Sequence, residues 1–169
     1  MQKTLKRINE LLELGIITNY AIAGGMAQFY YIEPSITYDL DIVVHISDEE
    51  KTLTPLTKIY KWAEKNGYLT EKEHIIIESI PVQFLLAYNE LVKEALNNAD
   101  NIKLFDENTF IFKPEYLMAI MLQTGRLTDK ERLARFFIEA EYDKNKFLEI
   151  IKRFNLFEVY KKLIEVKNG

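Results

Sequence analysis

Apolar residues return every three or four positions through the first fifteen residues, MQKTLKRINELLELG, where Leu5, Ile8, Leu11 and Leu12 share one face and predict an amphipathic helix. The period then changes. Residues 20–23 form a short apolar strand that ends in Gly24-Gly25, and residues 26–32 read as a helix, so this stretch predicts strand, glycine turn, helix. Residues 39–46, Asp-Leu-Asp-Ile-Val-Val-His-Ile, predict a central β-branched strand with both acids on one side of its start. Thr54-Pro55 predicts an N-cap followed by a first-turn proline, opening a helix through Trp62 that stops near Asn66-Gly67. Strands are expected over residues 68–70, 74–77 and 82–87, with 78–81 as the reversal between the last two. A helix follows over residues 90–97, and then a β segment over 103–112 around Asp106-Glu107-Asn108.

From Pro114 onward only helical spacing remains, in residues 116–123, 133–138, 147–151 and 157–166. The expected organisation is therefore an α+β core over residues 1–112 and a helical segment over 113–169 packed directly on it, since no flexible linker or internal repeat intervenes. Thr128 and Glu131 have capping-box spacing, which places a helix start just after the break Thr124-Gly125-Arg126.

Composition narrows the chemistry. The 169 residues are 48% hydrophobic, ample for a buried core, and contain no cysteine, which excludes disulfides, thiolate zinc sites and cysteine nucleophiles. With neither an export-type leader nor a run of about 20 apolar residues, a soluble cytoplasmic protein is expected. The net charge of -4 is uneven: residues 1–112 carry 10 basic and 17 acidic side chains, residues 113–169 carry 12 and 9. The second part is the better anion binder, but duplex DNA binding is not suggested by so mild an excess. Neither Gly-x-Ser-x-Gly nor a phosphate-loop Gly-Lys-Ser/Thr occurs, which removes the common hydrolase and ATPase readings.

Asp39 and Asp41, at i and i+2 on a strand, point to the same face with α-carbons roughly 6.5 to 7 Å apart, close enough to share a divalent cation. Mg²⁺ takes hard oxygen ligands, commonly one or two carboxylates completed by substrate phosphates, so a triphosphate is the natural co-ligand. Gly24 and Gly25 supply the other half: backbone without Cβ approaches phosphate closely, and the helix that follows offers free N–H groups at its positive end.

In this order, the Gly-Gly turn, helix and Asp-x-Asp strand resemble the DNA polymerase β-like nucleotidyltransferase superfamily. More closely, AIAGGMAQFYYIEPSITYDLDIVV looks like the nucleotidyltransferases related to the AbiEii toxins, through Gly24-Gly25-Met26-Ala27 and Thr37-Tyr38-Asp39-Leu40-Asp41. IPVQFLLAYNELVKEAL and YLMAIMLQTGRLTDKERL also resemble that group, which carries a helical Gly-Arg with a nearby Asp, here Asp129. The resemblance implies a mixed sheet with flanking helices and a toxin-like enzyme that moves a nucleoside monophosphate from an NTP to a protein or RNA hydroxyl. In it, Gly24, Gly25 and Thr37 would serve the nucleotide, Asp39 and Asp41 would hold Mg²⁺, and Arg126, with Lys130 and Arg135 as helpers, would meet phosphate.

Two positions depart from the resemblance. The third carboxylate is expected on the strand 82–87, where this chain has Gln83; Glu78 is the nearest substitute, across the reversal. An amide is neither a general base nor a third negative charge, which opens an alternative reading as a catalytically silent nucleotide-binding or interaction module. An arginine expected ahead of Thr37 is Ser35. His45 and His74 lack metal-ligand company in sequence and are read as structural, and Trp62 with the aromatics of the C-terminal helices as packing. Those helices leave an oligomer open.

Overall fold

The computed structural model describes residues 1–32, 39–47 and 54–168. In chain order the elements are α1 (Gln2–Glu13), β1 (Asn19–Ile22), α2 (Gly24–Tyr31), β2 (Leu40–His45), α3 (Thr57–Lys65), β3 (Thr70–Glu71), β4 (His74–Ile77), β5 (Ile80–Leu86), α4 (Glu90–Asn97), β6 (Asp100–Leu104), β7 (Glu107–Ile111), α5 (Pro114–Thr124), α6 (Leu127–Glu139), α7 (Lys144–Arg153) and α8 (Phe157–Asn168). Among the described residues seven strands make one mixed sheet in the order β3-β4-β5-β2-β1-β7-β6. β2 lies at its centre, antiparallel to β1 and parallel to β5. This is the α+β architecture expected, a mixed sheet with flanking helices.

The strand alternation of β2 divides its side chains: Leu40, Ile42 and Val44 are fully buried on one face, while Asp41 stands on the other. β5 repeats the division, with Val82 and Phe84 buried and Gln83 and Leu85 opposite. Helix α1 presents Leu5, Ile8 and Leu11 to the core, and burying side chains of this kind is worth roughly 1.5–3 kcal/mol each. Its polar edge is tied to the sheet end: Thr4 Oγ1 donates to the Ile77 carbonyl at 3.2 Å, and Arg7 lies over the rings of Trp62 and Tyr68. Trp62 is thus a packing residue. The C-terminal aromatics meet one another edge-on, Phe147 against Phe137 at 5.9 Å and against Tyr160 at 5.5 Å. Glu94 joins α4 to α5 and α7 by accepting from Tyr116 (2.6 Å) and Arg153 (2.5 Å). Among the described residues no helix is long and apolar enough to cross a membrane.

Several boundaries differ from the sequence expectation; β5, for one, starts at Ile80 and not at residue 82, which leaves Glu78-Ser79 as the reversal. Helix α3 begins at Thr57, not at Pro55, because Thr54 closes a preceding turn instead of capping: its carbonyl accepts from both the amide and the hydroxyl of Thr57. Helix α6 begins at Leu127, just after the break as expected, but the cap differs: Arg126 takes the N-cap position, so Thr128 lies inside the helix and forms no capping box. The last β segment is a hairpin of two strands starting at Asp100, reversed at Phe105-Asp106, where both residues have positive φ.

Candidate functional site

The sheet centre and α2 meet at Gly24. Its φ is +55°, a left-handed conformation that glycine adopts without strain. A Cβ placed there would fall inside the Asp41 carboxylate, 2.7 Å from its Cγ. The glycine therefore lets the start of α2 close onto Asp41, and the Ala23 amide seals the junction by donating to the Asp41 carbonyl at 2.9 Å. Among the described residues no side chain caps α2, and its first backbone hydrogen bond runs from Ala27 to the Ala23 carbonyl (3.2 Å). The amides of Gly24, Gly25 and Met26 precede it, at the positive end of the helix beside a carboxylate.

Asp39 stands just before β2 and Asp41 is its second residue. Burial raises the Asp41 carboxyl above its ordinary range and the negative charge of Asp39 raises it further; His74, Arg132 and Arg126 offset this only in part. Two carboxylates held together against their own repulsion fit a dication. Among the described residues no group of three His, Asp or Glu side chains is placed to hold a metal, so a cation here would take its remaining ligands from substrate oxygens and water. That donor set suits Mg²⁺.

Beside Asp41 a cavity of about 690 Å³ opens, lined by Gly24, Gln28, Val43, Leu85, Tyr88, Ile120 and Met121, with Arg126, Asp129 and Arg132 on its α6 side. The three α6-side residues recur at i, i+3 and i+6, one face of the helix. Asp129 is 2% exposed; it accepts from Arg126 Nε at 2.8 Å, from Arg126 Nη2 at 3.2 Å and from Thr124 Oγ1 at 2.6 Å. Burial pushes its carboxyl up, but the hydrogen bonds from Arg126 and Thr124 and the charges of Arg126 and Arg132 outweigh that and hold it below the usual carboxylate range. Asp129→Ala is expected to lower stability by about 2 kcal/mol, a figure kept modest because Arg126 is itself 69% exposed. Because the folded carboxyl is the stronger acid, the wild-type advantage is full above the ordinary pKa near 4 and is lost as pH falls through the lower folded value. Urea unfolding of both proteins at pH 7 and pH 3 measures this.

The remaining positions named from the sequence separate clearly. Gln83 pairs in register with Asp41, so the amide occupies the place beside the aspartates where a third acid was expected. Glu78 does not come near: it sits in the two-residue turn joining β4 to β5, roughly 13 Å along the strand from the Gln83 pair, and accepts from Tyr68 Oη at 2.9 Å. Lys130 is exposed and does not line the cavity, and Arg135 is held on the helix surface by Glu139 (2.9 Å). Thr37 and Ser35 lie outside the described residues. His45 has a structural partner, Thr18 Oγ1, 2.8 Å from its Nδ1.

The sequence reading missed Arg132 and His74. Arg132 lines the cavity one turn beyond Asp129, at a spacing from Arg126 that would have revealed it. His74, read as structural, pairs with Gln83 across the β4–β5 ladder, and its Nε2 lies 3.5 Å from Asp39 Oδ2. Only strand register brings Asp41, Gln83 and His74 into one row.

No family model matches the chain, and no curated protein does. Solved structures do. The crystal structure of an antigenic nucleotidyltransferase-like protein from Paracoccidioides brasiliensis aligns with a TM-score of 0.57 at 15% identity, over 91% of this chain and 88% of that one. The fold is that of a nucleotidyltransferase. The solution structure of the antibiotic-resistance factor ANT(2'')-Ia gives a TM-score of 0.54 at 10% identity, over 98% of this chain and 95% of that one. At such identities what is shared is the fold; in this chain Asp41 lies on β2 with Asp39 just before it, and the glycine turn opens α2.

Proposed function

We propose that this protein is a Mg²⁺-dependent nucleotidyltransferase, toxin-like in the manner of the AbiEii-related enzymes, that transfers a nucleoside monophosphate from an NTP to a hydroxyl of a protein or RNA. The observation that carries the reading is the closure of the Gly24 turn onto Asp41, which sets helix N–H donors for phosphate beside a carboxylate pair for the cation. A nucleotidyltransferase fold in structures that span nearly the whole chain supports it.

In this reading the amides at Gly24 and Gly25 receive the phosphates, and Asp39 and Asp41 hold the cation. Bound Mg²⁺ would supply neutralisation of phosphate charge. Arg126 and Arg132 face the same cavity and offer positive charge to the leaving pyrophosphate, with Asp129 keeping the Arg126 fork aimed. The apolar wall of Val43, Leu85, Ile120 and Met121 excludes water and accommodates the base, with Tyr88 at its rim. The acceptor oxygen attacks the α-phosphorus as the bond to the β-phosphate breaks, and the hydroxyl proton leaves to solvent.

One observation favours a second reading, a silent nucleotide-binding or interaction module: the residue in register with Asp41 is Gln83. Transfer of labelled NTP to components of a cell extract separates the two. With transfer limited by the missing acid, Gln83→Asp is expected to raise labelling about 100-fold, the scale of a general base. No label in either form favours the module.

A further inference from the structure

We infer that His74 is a positioning residue for Asp39: when a cation binds, its Nε2–H closes onto the Asp39 carboxylate and holds it in the orientation that receives the ion, from the strand beyond Gln83. The inference rests on the cation site proposed at Asp39 and Asp41. Carboxylates that ligate metals are themselves hydrogen-bonded as a rule, and the donor fixes which oxygen faces the ion. Asp39 precedes β2, with 43% of its side chain exposed, so ladder hydrogen bonds do not by themselves fix its carboxylate. His74 comes from the adjoining hairpin, where pairing of β4 with β5 and of β5 with β2 sets its place through Gln83 and Asp41.

The imidazole is poised but unspent. Among the described residues, His74 Nε2 is buried and makes no hydrogen bond, an uncommon state for a buried ring nitrogen. It lies 3.5 Å from Asp39 Oδ2, so a displacement of well under 1 Å would bring it to hydrogen-bond distance. Direct ligation by His74 fits less well, because Asp39, Asp41 and His74 do not converge as a three-donor metal group. A short acid at position 83 would have offered its own negative charge at the centre of this row. With an amide there, Asp39 carries a larger share of cation binding, and its orientation matters more.

Mn²⁺ alone, titrated into the full chain and followed by the EPR signal of the free ion, tests the assignment. His74→Leu is expected to weaken Mn²⁺ binding at least 10-fold, whereas His74→Gln, whose amide N–H₂ reaches the position of Nε2, stays within about threefold of wild type. Unchanged affinity in His74→Leu overturns the assignment, and so does an equal loss in His74→Gln. A directly coordinated imidazole nitrogen in the pulsed EPR of bound Mn²⁺ overturns it too, in favour of ligation. Circular dichroism confirms the fold of each variant; should His74→Leu fail to fold, His74→Asn, too short to reach Asp39, is expected to show the same loss. Asp39→Asn with Asp41→Asn isolates the underlying reading: if that variant binds Mn²⁺ like wild type, the cation site itself is misplaced, whatever His74 does.

Discussion

Gly24→Ala is expected to destabilise the protein by about 3 kcal/mol and to abolish nucleotide binding. Two costs add: an L-residue at φ +55° carries roughly 1–2 kcal/mol of backbone strain, and a methyl group lodged in the Asp41 carboxylate forces a displacement of about the same cost. The carboxylate must rotate away or the start of α2 must lift, and either movement separates the helix amides from the cation ligands. Gly67→Ala is the control. Gly67 also has positive φ, +75°, but a Cβ there meets nothing within 4 Å, so only the strain remains, about 1 kcal/mol, with nucleotide binding intact. Urea unfolding and nucleotide titration of the two variants separate clash from strain.

Much of this site was legible because its chemistry is local in sequence. Gly24-Gly25 ends one strand and Asp39 and Asp41 open the next, so the period of two and the glycine turn were enough to put them together. Helix α4 runs over the expected residues because its cap is also local: Asn89 Oδ1 accepts from the Val92 amide at 2.9 Å. What sequence could not supply was lateral order. His74 lies 35 positions beyond Asp39, and they meet only because β4 pairs with β5 and β5 with β2. Glu78 looked close to Gln83 along the chain, yet a hairpin turn points it away from the aspartates. The cap expected at Thr128 gives way to another local pattern: Arg126 takes the N-cap position, and the buried Asp129 accepts from Arg126 and Thr124, three and five positions before it.

The second large effect is expected from Asp39→Asn combined with Asp41→Asn. The exchanges keep side-chain shape and remove both charges, so the sheet should be retained. Burial and mutual repulsion disfavour the ionised form of Asp41, so the unliganded variant is expected to be as stable as wild type or slightly more so. Binding is different. Without carboxylates the cation has no hard anionic ligand, and the phosphates have nothing to neutralise them beyond the helix amides and the two arginines. Mg²⁺-dependent nucleotide affinity should fall at least 100-fold, while a structural role for these residues would show as lost stability with affinity preserved.

Thermal unfolding of wild type and this double variant, with ATP, GTP, CTP and UTP in turn, tests the central claim most directly. A ligand at 100 times its Kd adds about 2.7 kcal/mol, which for a chain of this size raises Tm by roughly 5–10 °C. The predicted result is such a rise in wild type for at least one nucleotide with Mg²⁺, its disappearance with EDTA, and no rise in the double variant. An equal rise in the double variant, or none in wild type with any of the four, would contradict a triphosphate and metal site at Gly24, Asp39 and Asp41.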